Sequence, residues 1–385
     1  MNVSDSGQQI VVEVPTVKRD RRGRPEAGRD TASPWVLVAT LADPQAWWVV
    51  GEGAHPRRWT RLSRTRIAGS STVSQHLPST IGAAISSHQA QVRSVYLPSG
   101  VRMRIIAVPV LTPTDEVSAV HVWAGPRFQP VPPRPDVGTL TWWNTRNGLA
   151  STDPTLEHLL DSAVDDSATR TLPDLMRHLE DLEDRAGLLR LFDASAESTE
   201  LWCGTAVTVG ITTRARRNLY IAAASVRADH GRTIRALVYD ISDTKPVPSP
   251  TLLTRLIRTI PVEPYHAVGV TDLVTGLVHL WIAPGPPPLD LWMYEIPETH
   301  PDDLARVAQI RARLLAGIDQ AHITWRLRFG TAPWVTVHAR LTVLTRDVAP
   351  QACLDLRVEN QPADNHHLSR NPRSTRPFDQ CNAQD

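Results

Sequence analysis

Two proline-rich segments, PRFQPVPPRP at 126–135 and KPVPSP at 245–250, cut the chain into three stretches of comparable length. Clustered prolines fix φ, remove backbone donors and favour extended connections, so strands and helices must be completed on either side of them. The stretches so defined, 34–127, 136–245 and 249–358, are each long enough for one small core. Residues 1–33 and 359–385 are polar, charged and without sustained hydrophobic periodicity, and are expected to be a disordered N-terminal arm and a disordered tail.

The three stretches share one expected order of elements. In the first, Trp35–Leu41 and Trp47–Val50 read as strands and Pro78 as the start of a short amphipathic helix. Val92–Leu97, Val101–Val110 and Val117–Trp123 read as three further strands. In the second, Leu140–Trp143 precedes a turn at Asn147-Gly148, and Asp153-Pro154 opens a helix. A longer helix from Pro173 carries the stripe Leu175, Leu179, Leu182 and Leu189, and three strands close the stretch between Leu201 and Ile241. The third has a lead-in helix over 252–260, two strands, a helix opened by His300-Pro301-Asp302-Asp303, and strands at 321–329, 334–344 and 352–358. The expected fold class is α+β, three consecutive modules, each an antiparallel sheet with helices on one face.

Several function classes are disfavoured by composition. With 41% hydrophobic residues the chain can build cores, and no run approaches the roughly 18 apolar residues that a spanning helix needs. The positive charges of the first residues follow, rather than precede, the short apolar stretch Ile10–Val14, which is not the order of a secretory leader; a cytoplasmic location is expected. Cys203, Cys353 and Cys381 form no C-x-x-C, which argues against a disulfide framework, a structural zinc site and a dithiol redox motif. A formal net charge of +1 argues against a generic nucleic-acid binder.

Catalytic signatures are equally sparse. Walker, H-E-x-x-H, G-x-S-x-G and complete G-x-G-x-x-G patterns are missing, and Gly51-Glu52-Gly53 is followed by Pro56 where a dinucleotide loop needs glycine. His366-His367 in the tail suits only adventitious metal, so neither metal nor cofactor is expected. His300-Pro301-Asp302-Asp303 is read as a helix start, Cys203 as a buried thiol, and most of the twelve tryptophans as packing.

Two surfaces stand out as candidate interaction sites. Arg57, Arg58, Arg61, Arg64 and Arg66, interleaved with Trp59, could hold phosphates, and are read more simply as a rim that contacts another domain or a protein partner. In the third stretch a period of two puts Ile323, Trp325, Leu327, Val337, Ala339, Leu341, Leu354 and Leu356 on the helix side of a sheet, over a filled cavity or a small apolar ligand rather than flavin or haem. The other side carries Arg326, Arg328, His338, Arg340 and Arg357, a cationic face for another module or an acidic partner.

The motifs WVLVATL at 35–41, VHVWAGP at 120–126, Leu140-Thr141-Trp142 with Thr145-Arg146, HPDD at 300–303 and WVTVH at 334–338 occur in an order that resembles the actinobacterial triple sensor-domain proteins. Those are tandem GAF- and PAS-like domains without an output domain, and the resemblance covers about 35–358. It implies PAS/GAF-like modules in a non-enzymatic cytoplasmic sensor or adaptor, whose ligand is unassigned and whose signal passes through an unknown protein partner. The rivals are a nucleic-acid-associated regulator using the arginine patch, and a small-molecule enzyme whose groups converge only in the fold.

Overall fold

A computed structural model describes residues 34–43, 46–143, 148–162, 169–228, 231–250, 252 and 261–359. The arm, the tail beyond Glu359, Asn147, and the lead-in helix apart from Leu252 lie outside the described residues.

Three antiparallel sheets follow one another along the chain. The first contains β1 (Val36–Asp43), β2 (Ala46–Glu52), β3 (His55–Arg61), β4 (Gln91–Tyr96), β5 (Arg102–Leu111) and β6 (Val117–Pro126), in the order β3-β2-β1-β6-β5-β4. The second contains β7 (Gly138–Trp143), β8 (Ala150–Thr152), β9 (Thr169–Arg170), β10 (Leu179–Leu182), β11 (Glu200–Val209), β12 (Arg216–Ala228) and β13 (Gly231–Asp240), in the order β10-β11-β12-β13-β7-β8-β9. The third contains β14 (His266–Asp272), β15 (Val278–Ala283), β16 (Glu298–Thr299), β17 (Gln320–Arg328), β18 (Val335–Thr345) and β19 (Gln351–Val358), in the order β15-β14-β19-β18-β17-β16. The helices are α1 (Ser71–Ser87), α2 (Pro154–Leu160), α3 (Leu172–Met176), α4 (Arg185–Arg190) and α5 (Pro301–Leu315).

This corrects the expected fold class. Antiparallel strand dominates, the helices are few and α2, α3 and α4 are short, so the protein is more β than an α+β chain of PAS/GAF-like modules. The physical reason lies in β1 and β6. Their sequences, VLVATLAD and VSAVHVWAGP, are almost continuously apolar, the signature of a strand buried on both faces. One face of the first sheet (Val36, Val38, Val120, Val122) packs on Val73, Leu77, Ile81 and Ala84 of α1. Its other face is covered by a sheet, not a helix: Leu37, Ala39, Leu41 and Ala119 meet Tyr220, Ala222, Ala224, Leu237 and Tyr239 of the second sheet. Each fully buried valine, leucine or isoleucine among them contributes about 1.5–3 kcal/mol. The opposite face of the second sheet (Leu219, Ile221, Ile234, Ala236) packs on α2, α3 and α4.

Local differences have local causes. β3 is an additional strand. α1 starts at Ser71, capped by Ser70 accepting from the Val73 N–H, so Pro78 lies within the helix rather than at its start. The longer helix from Pro173 is replaced by α3, β10 and α4. Asp184 accepts from the Gly187 N–H to start α4, while Leu182 pairs with Ala206 on β11.

The third sheet packs Ile323, Trp325, Leu327, Val337, Ala339, Leu341, Leu354 and Leu356 in one core with Val307, Ile310 and Leu314 of α5. His300 caps α5 by accepting from the Asp302 N–H. Contacts also cross from the second sheet's helices. Thr171 Oγ1 donates to the Met293 carbonyl, Arg177 donates to Tyr294 Oη at 3.0 Å, and Leu277 and Ala349 join the second core. No helix among the described residues is long and apolar enough to cross a membrane.

Candidate functional site

The face of the third sheet turned away from α5 is the site of interest. Strand register brings its side chains into two rungs. One runs Thr324–His338–Arg357–His266 and the next His322–Arg340–Asp355–Val268, because paired residues share a face. Pro261, Val262 and Glu263 and the β15 residue Ile282 complete a cleft of about 660 Å³ over these rungs. That volume lies within the roughly 300–1,000 Å³ of small-molecule sites.

Asp355 organises the cleft. Its Oδ1 lies 2.6 Å from His266 Nδ1, and its Oδ2 accepts from Arg340 at 2.9 Å. Beside it, Thr324 Oγ1 and His338 Nδ1 are 2.8 Å apart, and His266 Nε2 lies 3.4 Å from Glu263. His322 and Arg357 are exposed and line the same cleft. Burial, and then the Asp355 charge, push the neighbouring Cys353 thiol upward, which suits an inert thiol rather than a nucleophile. Glu359 lies 3.8 Å from His338 Nε2, beyond hydrogen-bond reach, so the series Thr324–His338–Glu359 lacks the orienting contact of an activated hydroxyl. Among the described residues, no group of three or more His, Cys, Asp or Glu converges as a metal site. The arrangement supplies donors and acceptors for a polar ligand.

The candidate residues have varied fates. Arg326, Arg328, His338, Arg340 and Arg357 share this face, but most of its positive charge is compensated. Arg326 binds Asp303 and Asp302, Arg328 binds Glu298 and lies 4.5 Å over the Trp334 ring, and Arg340 binds Asp355. Asp303 is held at a pKa of about 2, chiefly by its hydrogen bonds from Arg326. In the arginine patch, Arg57 binds the buried Glu52 and Arg58 lies 3.9 Å from Glu183. Arg61, Arg64 and Arg66 are exposed, and their guanidinium groups have no ion pair among the described residues. His266, His322, Thr324 and Asp355 are site residues outside the candidate set read from the sequence. The period of two does place His322, Thr324 and Asp355 on this face. Beneath α5 the open space is only about 110 Å³, with Asp272 and Arg311 in its lining besides the apolar strand residues, below the size of a small-molecule pocket.

The family model described as Rv3651-like, N-terminal matches residues 34–133, which cover the first sheet. Over that part the chain is similar to an Rv3651-like N-terminal domain. A crystal structure of an uncharacterized protein from Mycobacterium tuberculosis aligns with a TM-score of 0.67 at 19% identity, covering 86% of this chain and 97% of that one. The two proteins share a fold. An RNA-binding light-oxygen-voltage receptor (TM-score 0.23, 10% identity, 57% of this chain and 94% of that one) has no such overall match. The same holds for an Escherichia coli DhaR(N)–DhaL complex (TM-score 0.20, 12% identity, 55% and 80%). No curated protein matches the sequence.

Proposed function

We propose that the chain is a non-enzymatic sensor or adaptor that takes a small polar ligand in the third-sheet cleft and relays its presence through protein contacts. The observation that carries this reading is Asp355 clamped between His266 and Arg340 at the floor of a ligand-sized cleft. A carboxyl group bonded to both residues fixes their orientation for binding. Arg357, which forms no ion pair among the described residues, with His322 and His338 beside it, favours a ligand bearing a carboxylate or phosphate. The resemblance of the sequence motifs to actinobacterial sensor-domain proteins supports the same reading. Its location would be the cytoplasm.

The test is native mass spectrometry of the full chain purified from its own host, with Arg357→Ala beside it. A retained small acid in the parent, lost from the variant while the thermal midpoint is unchanged, is the expected result. Release of a chemically altered molecule on incubation would make the protein an enzyme instead, and equal retention in both proteins would remove the cleft from consideration.

A further inference from the structure

At the far edge of the first sheet, β4 pairs, among the described residues, with β5 alone, in an unbroken register from Gln91↔Ala107 to Tyr96↔Arg102. Proteins usually blunt such an edge with proline, lysine, a bulge or a covering element. The sequence QVRSVY has no proline or lysine, and its ladder has no bulge. Instead the strand and its surroundings expose apolar groups: Val92 is 64% exposed, Tyr96 65% and Phe128 91%. Val92 and Tyr96 share a face with Ile106, Arg102 and Arg104.

The charge around this edge is one-sided. From residue 53 to residue 114 the chain has eight arginines and not one Asp or Glu. Arg93 is exposed and bonded to Ser79, Arg102 lies 5.7 Å over the Tyr96 ring, Arg104 lies 5.4 Å over Trp123, and Arg127 lies 5.6 Å over Phe128. None of these four forms an ion pair among the described residues, and the Nε atoms of Arg102 and Arg104 are buried without an acceptor. The nearby carboxylates of Asp115 and Glu116 lie past the opposite end of β5, engaged with His88 and Arg235.

We infer that the β4 edge is a docking site for an acidic, extended segment of a partner protein, added to the sheet as a further strand. Backbone groups along a six-residue edge give a ladder that a peptide can complete and a nucleic acid cannot. Arg102 and Arg104 select glutamate at alternate positions on the face they share with Val92 and Tyr96, whose apolar groups pack against the glutamate methylene stems. A second copy of this chain would bring like charge against like charge, which disfavours self-pairing.

Fluorescence anisotropy on the full chain tests this, with a labelled peptide of four Glu-Val repeats as probe and four Lys-Val repeats as control. The Glu-Val peptide should bind at least about tenfold more tightly than the control. Arg102→Glu should weaken it by about fivefold or more. Val92→Lys should weaken it similarly although it adds a favourable charge, because lysine blocks strand addition. Val92 is exposed and Arg102 half-buried, and unchanged thermal midpoints confirm that the variants fold. Absence of Glu-Val binding would overturn the proposal. So would tighter binding of a thymidine oligonucleotide with Val92→Lys having no effect, which marks a polyanion surface. A dimer in sedimentation that Val92→Lys dissolves would assign the edge to a second copy.

Discussion

Tyr239 Oη donates to the Val50 carbonyl at 2.8 Å, joining the second sheet to the first across their shared core. Gly51 follows directly, and a Cβ there would stand 3.0 Å from the same hydroxyl. Burial pushes the Tyr239 phenol upward, so it remains a donor throughout the accessible pH range. Tyr239→Phe strands a buried carbonyl and should cost about 1–3 kcal/mol in denaturant unfolding. Gly51→Ala should destabilise by crowding. The double variant should cost less than the sum of the two, because removing the hydroxyl removes the closest contact. Strict additivity would show that the sheets separate enough to admit the methyl group.

Arginines of the 57–66 patch should separate into two kinds. Glu52, 3% exposed, accepts from Arg57 and from the Arg66 N–H at 3.0 Å. Arg57→Ala leaves that carboxylate short of its counter-charge and should lower stability by about 2–4 kcal/mol. Arg61→Glu and Arg64→Glu, both exposed, should change it by less than about 0.5 kcal/mol. Far-UV circular dichroism with urea titration checks both, and equal losses would mean that Arg61 and Arg64 have structural partners.

A third prediction concerns the buried charge cluster beside α3. Arg170 donates to Glu157 at 3.0 Å and to Asp174 at 2.8 Å, and these carboxylates are 1% and 3% exposed. Burial alone would raise the Glu157 pKa, but hydrogen bonds from Arg170, Ser162 and Thr152 outweigh it and hold the group ionised. Arg170→Leu leaves the buried Glu157 without a counter-charge and Asp174 with Arg177 alone, and should cost about 3–5 kcal/mol at neutral pH. Arg170→Lys should recover only part, because one ammonium cannot reproduce the forked contacts. Full recovery with lysine would reduce the role to simple charge.

What could be read from the sequence follows from how each element is buried. β17 has one apolar face, so Ile323, Trp325 and Leu327 announce it by alternation. β1 and β6 have two, and their continuous runs identify strands without saying that the second cover is a sheet. The stripe Leu175, Leu179, Leu182 and Leu189 satisfies helical spacing, yet those residues contribute to one core through a helix, a strand and a second helix. The deciding contact, Leu182↔Ala206, is non-local. The site shows the same limit. His266 and Asp355 are 89 positions apart and meet only because β14 pairs with β19. Likewise VHVWAGP at 120–126 and VHLWIAPGP at 278–286 occupy a central strand and an edge strand, so their likeness does not mark equivalent places in the two sheets.

The last prediction joins the two histidines of those motifs. His121 and His279 are 2% and 1% exposed. Burial, then the charge of Arg134, lowers His121 from 6.5 to about 3; burial, then the charge of Arg185, lowers His279 equally. In the folded protein both imidazoles therefore stay neutral where the unfolded chain is already protonated. Their contribution is fully present above pH 6.5 and declines as pH falls toward 3. Each should add a slope of about 1.4 kcal/mol per pH unit in that window. Asp303, at about 2, acts below this window and does not mask it. Urea unfolding between about pH 6 and about pH 4.5 should show stability falling steeply with acid. His121→Asn and His279→Asn should each lower that slope, whatever their offset at neutral pH, with a part left to the buried His178, whose pKa burial also lowers. A slope unchanged by both substitutions would mean that these imidazoles take up protons in the folded state.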